Sequence, residues 1–196
     1  MLTKDLLTGK LVRLAAPDLD QIAKSYALWN RNSAFWRLSD SGPAFTHSEK
    51  AIRKWFEDDL DKDPPKYYMF LIRRLADDRL IGDIGLGGID FVRGDAFVGI
   101  GIGDPDCWGK GYGTEAMQLA VRFAFVELNL SRVTLTVFGY NPRAIRSYEK
   151  VGFQFEGRER EYLNRDGERA DVLWMGILRE DWLMRQKPLI GQEMEA

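Results

Sequence analysis

The chain has 196 residues, of which 45% are hydrophobic and 30% charged, and a formal net charge of −2. This is the composition of one globular core; it excludes extensive disorder and offers no basic footprint for nucleic acid. A single cysteine, Cys107, rules out an internal disulfide framework and suits a reducing cytoplasm, and no run reaches the roughly 18 apolar residues that a membrane helix needs.

Met1–Asp5 is followed by no long apolar stretch, so no secretory signal is expected. Lys10–Leu14 alternates as a strand does, and Pro17-Asp18 then opens a helix over about 18–30. Ser39–Pro43 is a loop by composition. Thr46 and Glu49 have capping-box spacing ahead of an amphipathic helix from Ala51, which Asp63-Pro64-Pro65 stops. Three strands follow with short links: Tyr67–Ile72, Leu80–Ile89 and Ala96–Gly103, an antiparallel meander. Gly99, Gly101 and Gly103 loosen the last of them, allowing a bulge or splay and a ligand laid against bare backbone.

A helix over 115–128 has so wide an apolar face that it must lie against a sheet. Arg132–Phe138 is the clearest strand. Asn141-Pro142 reads as an N-cap and first helical residue, and Gly152 closes that helix. Phe153–Glu156 is a strand, Asn164–Gly167 a hairpin turn and Val172–Leu178 the final strand. The domain is expected over 1–187, with a mobile tail over 188–196. Strands that first run together and then alternate with helices give an α+β fold: a single domain with a mixed, mostly antiparallel sheet flanked by helices.

The most informative stretch is Trp108-Gly109-Lys110-Gly111-Tyr112-Gly113-Thr114, just before the 115–128 helix. Glycines at every second position let successive amide N–H groups face one concavity, and a helix start adds positive potential, so a phosphate or pyrophosphate fits there. A Walker loop needs Ser or Thr directly after its Lys, which Lys110 lacks. A dinucleotide fingerprint needs a parallel strand–helix–strand opening, whereas a meander precedes this loop.

Gly109-Lys110-Gly111-Tyr112-Gly113 resembles the glycine part of the coenzyme A loop of the GCN5-related N-acetyltransferase (GNAT) family. Downstream, Asn141-Pro142-Arg143-Ala144-Ile145-Arg146-Ser147-Tyr148-Glu149-Lys150-Val151-Gly152-Phe153 is similar to that family's Asn-x-x-Ala-x-x-x-Tyr-x-x-x-Gly-Phe segment. The two stretches lie in the family's order with a strand between them, and the likeness runs from Leu11 to about Trp182. The closing segment from Glu156 to Asp171 looks like the branch of ribosomal-protein N-terminal and polyamine acetyltransferases.

The resemblance implies transfer of an acetyl group from acetyl-CoA to a primary amine, by direct attack in a ternary complex and without a metal. The acceptor classes left open are a peptide or protein N-terminus, a polyamine or another small amine. Residues 108–114 would hold the pyrophosphate, and Gly101-Ile102-Gly103 would pair with the pantetheine arm. Asn141 would cap its helix and also reach that arm. Arg143 and Arg146, flanking Ala144, either border the phosphates or are solvated helix charges. Tyr148 is the expected general acid, because a phenol with a pKa of about 10 is protonated at neutral pH.

Three positions depart from the family pattern. Trp108 stands where Gln or Arg is usual, Phe97 where many members of this branch carry a glutamate, and Cys107 where an aromatic is common, its role read as packing. Without that glutamate the general base is unassigned; Asp83, Asp90 or a water chain are the choices, and His47 reads as structural. A non-catalytic acyl-CoA sensor and a transferase for another acyl-CoA donor are the alternative functions. Trp29, Phe35, Trp36 and Trp55 fill the core or line an acceptor pocket, which is expected from the first two helices and the 157–171 hairpin. The apolar last strand and Trp182 leave room for a homodimer.

Overall fold

The computed structural model describes residues 5–60 and 67–193. Among them seven strands form one sheet in the order β1-β2-β3-β4-β5-β7-β6. β1 (Val12–Ala15), β2 (Tyr67–Arg74), β3 (Leu80–Asp90) and β4 (Asp95–Ile102) are successively antiparallel. β5 (Arg132–Phe138) is parallel to β4, and β6 (Gln154–Arg165) and β7 (Glu168–Leu178) add an antiparallel hairpin beyond it. The α+β reading with a mixed, mostly antiparallel sheet is therefore correct.

Alternation divides the sheet into two faces. On one, α4 (Tyr112–Val126) lies against Val12, Ile72, Ile84, Leu86, Val98, Val133 and Leu135 through Ala116, Met117, Ala120, Val121 and Ala124, the main core. α5 (Pro142–Val151) joins that face through Ile145, Tyr148 and Val151. On the other, Ile22 of α1 (Leu19–Trp29) packs with Met69 and Leu71 of β2, and Phe56 and Leu60 of α3 (Glu49–Leu60) close the layer.

Several local readings are corrected. A short helix, α2 (Ser33–Ser39), stands where only a loop after Ser39 is expected; the Asn32 side chain caps it by accepting from Ala34 N. The cap of α3 is Ser48, whose Oγ accepts from Ala51 N at 3.3 Å, two residues after Thr46. β6 reaches Arg165 rather than ending near Glu156. It turns at Asp166-Gly167 with positive φ at both residues, as a two-residue hairpin requires. The expected stop at Asp63-Pro64-Pro65 and the first four residues lie outside the described residues. α6 (Arg179–Glu193) continues past Pro188. Trp182 packs within the chain, its ring 5.6 Å from that of Phe125.

One side chain fixes the edge of the sheet to its main helix. The Glu115 carboxylate, in the first turn of α4, accepts from Lys10 N, Leu11 N and Val12 N at 2.8, 2.6 and 2.8 Å. Glu115→Ala leaves these donors to water or unpaired, at a cost of roughly 2 kcal/mol. A fall of about 6 °C in Tm by thermal unfolding is expected.

Candidate active site

β4 and β5 pair for only three residues, Asp95 to Phe97 against Arg132 to Thr134. Beyond them the strands part, β4 staying with β3 and β5 with β7. A cleft of about 320 Å³ lies along this parting. Its walls are Ile100–Ile102 of β4, the 107–114 loop and helix start, and Asn141 to Lys150 of α5, with Phe35, Leu38 and Ser39 of α2 at one end.

The glycine loop meets the cleft at the start of α4. Gly111 is the N-cap at φ 88°, a left-handed conformation costly for any residue with a Cβ, and no side chain caps the helix. The helix begins three residues earlier than expected, so Tyr112, Gly113 and Thr114 form its first turn. Their N–H groups lack helical acceptors, as first-turn amides do. Gly109 is also left-handed, at φ 73°, with open space where a Cβ would stand. These are the donors and the room that a pyrophosphate needs.

Trp108 fills the place where Gln or Arg was expected. Its Nε1 donates to Ile102 O at 2.6 Å, and the Arg143 guanidinium lies 4.0 Å from its ring centroid, a cation–π contact. The ring thus ties the end of β4 to the start of α5. Across the mouth, Thr114 Oγ1 and Ser147 Oγ are 2.7 Å apart, joining α4 to α5. The Asn141 Oδ1 accepts from Ala144 N at 3.2 Å, so the capping role holds, and the same buried residue lines the cleft.

Gly101, Ile102, Trp108, Gly109, Gly111, Gly113, Thr114, Asn141, Arg143, Ala144, Arg146 and Tyr148 all line the cleft. Gly103, Lys110 and Tyr112 do not. Gly103 N donates to Ile81 O, away from the cleft, and a Cβ there would stand 1.9 Å from the Trp29 ring. By alternation the amides of Gly99, Gly101 and Gly103 face β3, so the open edge of β4 belongs to Ile100 and Ile102. Lys110 is exposed, and Tyr112 turns its ring to the main core.

Sequence reading missed Leu38, Ser39, Ile100, Ser147 and Lys150, and gave Cys107, which also lines the cleft, a packing role only. Ser147 and Lys150 carried a usable signal, being within a turn of Tyr148 on an amphipathic helix. Cys107 is buried in the main core as expected, and burial pushes its thiol up. Tyr148 lies in the α5 wall against Phe153, and burial raises its hydroxyl to about 12.

The opposite face of β4 carries Phe97, Gly99 and Gly101. Phe97 meets the Trp174 ring edge-on at 6.4 Å, while a Cβ at Gly99 would meet nothing within 4 Å. Next to Gly101, the buried Asp83 Oδ1 accepts from Tyr26 OH at 2.6 Å. Burial raises the Asp83 carboxyl to about 6, the Tyr26 bond opposing it, and raises the Tyr26 hydroxyl well above its ordinary value. Asp90 is instead held by Arg93 and by the amides of Val92 and Arg93, and His47 lies among the Trp36, Phe45 and Trp55 rings.

The 157–171 hairpin meets α2 and the loop after it, a segment that lies between the two helices expected to border the acceptor pocket. Arg37 of α2 is ion-paired to Asp166 of the β6–β7 turn, Tyr140 OH donates to Arg37 O at 2.6 Å, and Arg165 donates to Asp40 O and Gly42 O. Of the four aromatic candidates, Phe35 reaches the cleft. Trp29 is buried beside Tyr26 and Phe35, while the Trp36 ring meets His47 at a tilt and Trp55 meets it edge-on.

Among the described residues no helix is long and apolar enough to cross a membrane, and no group of His, Cys, Asp and Glu is placed to hold a metal ion. Residues 10–154 match the family described as acetyltransferase (GNAT) domain. A probable N-acetyltransferase of Bacillus subtilis, YjcK, is 31% identical over 184 residues, covering 90% of this chain and 98% of its own. The spermidine N(1)-acetyltransferase of Vibrio cholerae is 29% identical over 158 residues, covering 81% and 87%. A crystal structure of spermidine N-acetyltransferase from Vibrio cholerae, in complex with CoA and spermine, superposes with a TM-score of 0.77 at 24% identity, covering 88% of this chain and 98% of that one.

The Asp83 carboxyl gives a stability test. Its folded pKa lies above its unfolded one, so its contribution is fully present below about pH 4 and is lost as pH rises through about 6. Asp83→Asn keeps an acceptor for Tyr26 without the charge. Its Tm relative to the parent should rise between pH 4 and pH 7, by the equivalent of about 2 kcal/mol; a pH-independent difference would contradict the buried ionisation.

Proposed function

The chain belongs to the GNAT acetyltransferase family and is an acetyl-CoA-dependent N-acetyltransferase; from that premise we propose that it acetylates a primary amine directly, in a ternary complex. The observation that carries this reading is the cleft itself: free first-turn amides of α4 at its mouth, the open edge of β4 along it and Tyr148 in its wall. The residues suit the donor. Amides of Tyr112, Gly113 and Thr114, with Gly109 and Gly111, cradle the pyrophosphate, and Arg143 and Arg146 border it. Amides of Ile100 and Ile102 face the pantetheine arm, joined by Asn141.

The acceptor enters from the other face, between α2 and the β6–β7 hairpin, and meets the donor where β4 is bare at Gly99 and Gly101. This arrangement brings amine nitrogen and thioester carbon together without a covalent enzyme intermediate. Tyr148 OH supplies the proton that sulfur takes as the C–S bond breaks. Its raised pKa keeps it protonated over the whole neutral range, which suits an acid that reloads from the amide nitrogen. The spermidine-acetylating relative directs the first choice of acceptor to polyamines, with peptide N-termini next.

Thiol release from acetyl-CoA, followed with spermidine, spermine and peptides bearing free N-termini, tests the function. Acceptor-dependent release is expected, and tight CoA binding with no release from any amine would overturn it. Tyr148→Phe should lower kcat roughly 100-fold with acetyl-CoA affinity within about twofold. Gly111→Val forces a β-branched residue into φ 88°, strain of roughly 1–2 kcal/mol. CoA affinity by calorimetry should fall about tenfold, and an unchanged affinity would remove the loop from the site.

A further inference from the structure

We infer that the Tyr26–Asp83 pair is the proton acceptor for the incoming amine, filling the role left vacant by Phe97; this rests on the acetyl-transfer reading above. Asp83 on β3 is paired with Gly101 on β4, and side chains of paired residues share one face. Because Gly101 has none, the space over it is bounded by its neighbours. A Cβ there would stand 3.4 Å from Asp83 Oδ1, 3.5 Å from Tyr26 OH and 3.5 Å from the Phe35 ring. Gly101 and Phe35 line the cleft. The next glycine on that face, Gly99, opens on empty space. A carboxylate and a phenol thus abut the one part of β4 that an amine can approach from the acceptor side.

Stability gives no reason for this pair. Among the described residues the Asp83 carboxylate has the Tyr26 hydroxyl as its side-chain partner and no cation acting on it, and a buried carboxylate so held is costly to ionise. From the neighbouring elements, the titratable groups that act on the pair are Tyr26 of α1 and Tyr67 of β2. Gly101 of β4 and Phe35 of α2 do not titrate. The raised carboxyl value places Asp83 where a base working near neutrality must be. Asp90 is engaged by Arg93, and His47 lies among the Trp36, Phe45 and Trp55 rings.

The proton balance closes. An ammonium group gives one proton to the Asp83 carboxylate, directly or through Tyr26 OH. Its freed electron pair forms the N–C bond to the thioester carbon, and the C–S bond breaks with its pair on sulfur. Tyr148 protonates that sulfur and recovers a proton from the new amide nitrogen, while Asp83 returns its proton to solvent.

The test is kcat/KM for spermidine, and for a peptide with a free N-terminus, between pH 5 and pH 10. The parent enzyme should rise to a plateau with an apparent pKa near 6. Asp83→Asn must rely on amine already neutral in solution. With spermidine its activity should be at least about 100-fold lower at pH 7 and climb tenfold per pH unit toward the amine's own pKa; with the peptide, whose amino pKa is about 8, the loss at pH 7 should be about tenfold, and acetyl-CoA affinity should be unchanged in both. Tyr26→Phe removes the hydroxyl that stabilises the carboxylate, so its acidic limb should move up by roughly one pH unit. Parent turnover with an unchanged profile in Asp83→Asn overturns the inference while leaving the acetyltransferase reading intact. No turnover by the parent on any amine overturns both.

Discussion

The parting of β4 from β5 after three parallel pairs is the constraint on which the rest of the molecule depends. A sheet opened at its middle leaves a row of backbone polar groups without strand partners, and buried groups of that kind must be satisfied somehow. Here one is taken internally, Ile102 O by the Trp108 indole, and the others face the cleft. The parting survives because each strand is secured from its far side: β4 by a long antiparallel ladder to β3, β5 by a continuous seven-residue ladder to β7. α4 spans the two halves on one face, and its Glu115 fastens β1 to the same helix. The opening is therefore a rigid feature of the fold rather than a gap between loosely packed parts.

The two faces of β4 then acquire different work from a simple alternation. Ile100 and Ile102 send side chains toward α4 and their amides into the cleft, while Gly99 and Gly101 present bare backbone to the α1–α2 side. A β-strand with side chains on both faces would separate a donor on one side from an acceptor on the other. Removing two of them on one face leaves bare backbone beside the open edge of β4, where in the proposed reaction the acceptor comes round to the donor. That is also why Gly103 is different in kind, since its missing side chain is replaced by the Trp29 ring.

Much of this was legible where a pattern is local. α5 could be placed from Asn141, Pro142 and Gly152 because caps are set by the backbone of a few neighbouring residues, and β5 from its unbroken alternation of buried and half-buried positions. α2 was not, because Ser33–Ser39 is too short for periodicity to show, and it is held by contacts to Tyr140, Asp166 and Arg165 more than a hundred residues away. β6 was cut short in the reading because its run of Glu and Arg residues is mostly exposed and lacks an apolar face. The site divides in the same way. The cleft walls read in advance lie in two contiguous stretches, whereas the proposed acceptor side joins α1, α2, β3, β4 and β7. The Tyr26–Asp83 bond spans 57 positions and leaves no trace in either local pattern.

The chemistry of the two faces follows from one physical effect acting on two kinds of group. Burial disfavours the charged form, whichever group is buried. Applied to Tyr148 it raises a phenol to about 12 and makes it a better keeper of its proton. Applied to Asp83 it raises a carboxyl to about 6 and makes it a stronger base than an exposed aspartate. The Tyr26 hydroxyl limits that rise by bonding to the charged form, so the carboxylate is still the main species at pH 7. An acid on the thiol side and a base on the amine side are what acyl transfer from sulfur to nitrogen requires, and these are the roles proposed for Tyr148 and Asp83. Phe97, unable to take a proton, instead forms with Trp174 an apolar wall beside the glycines.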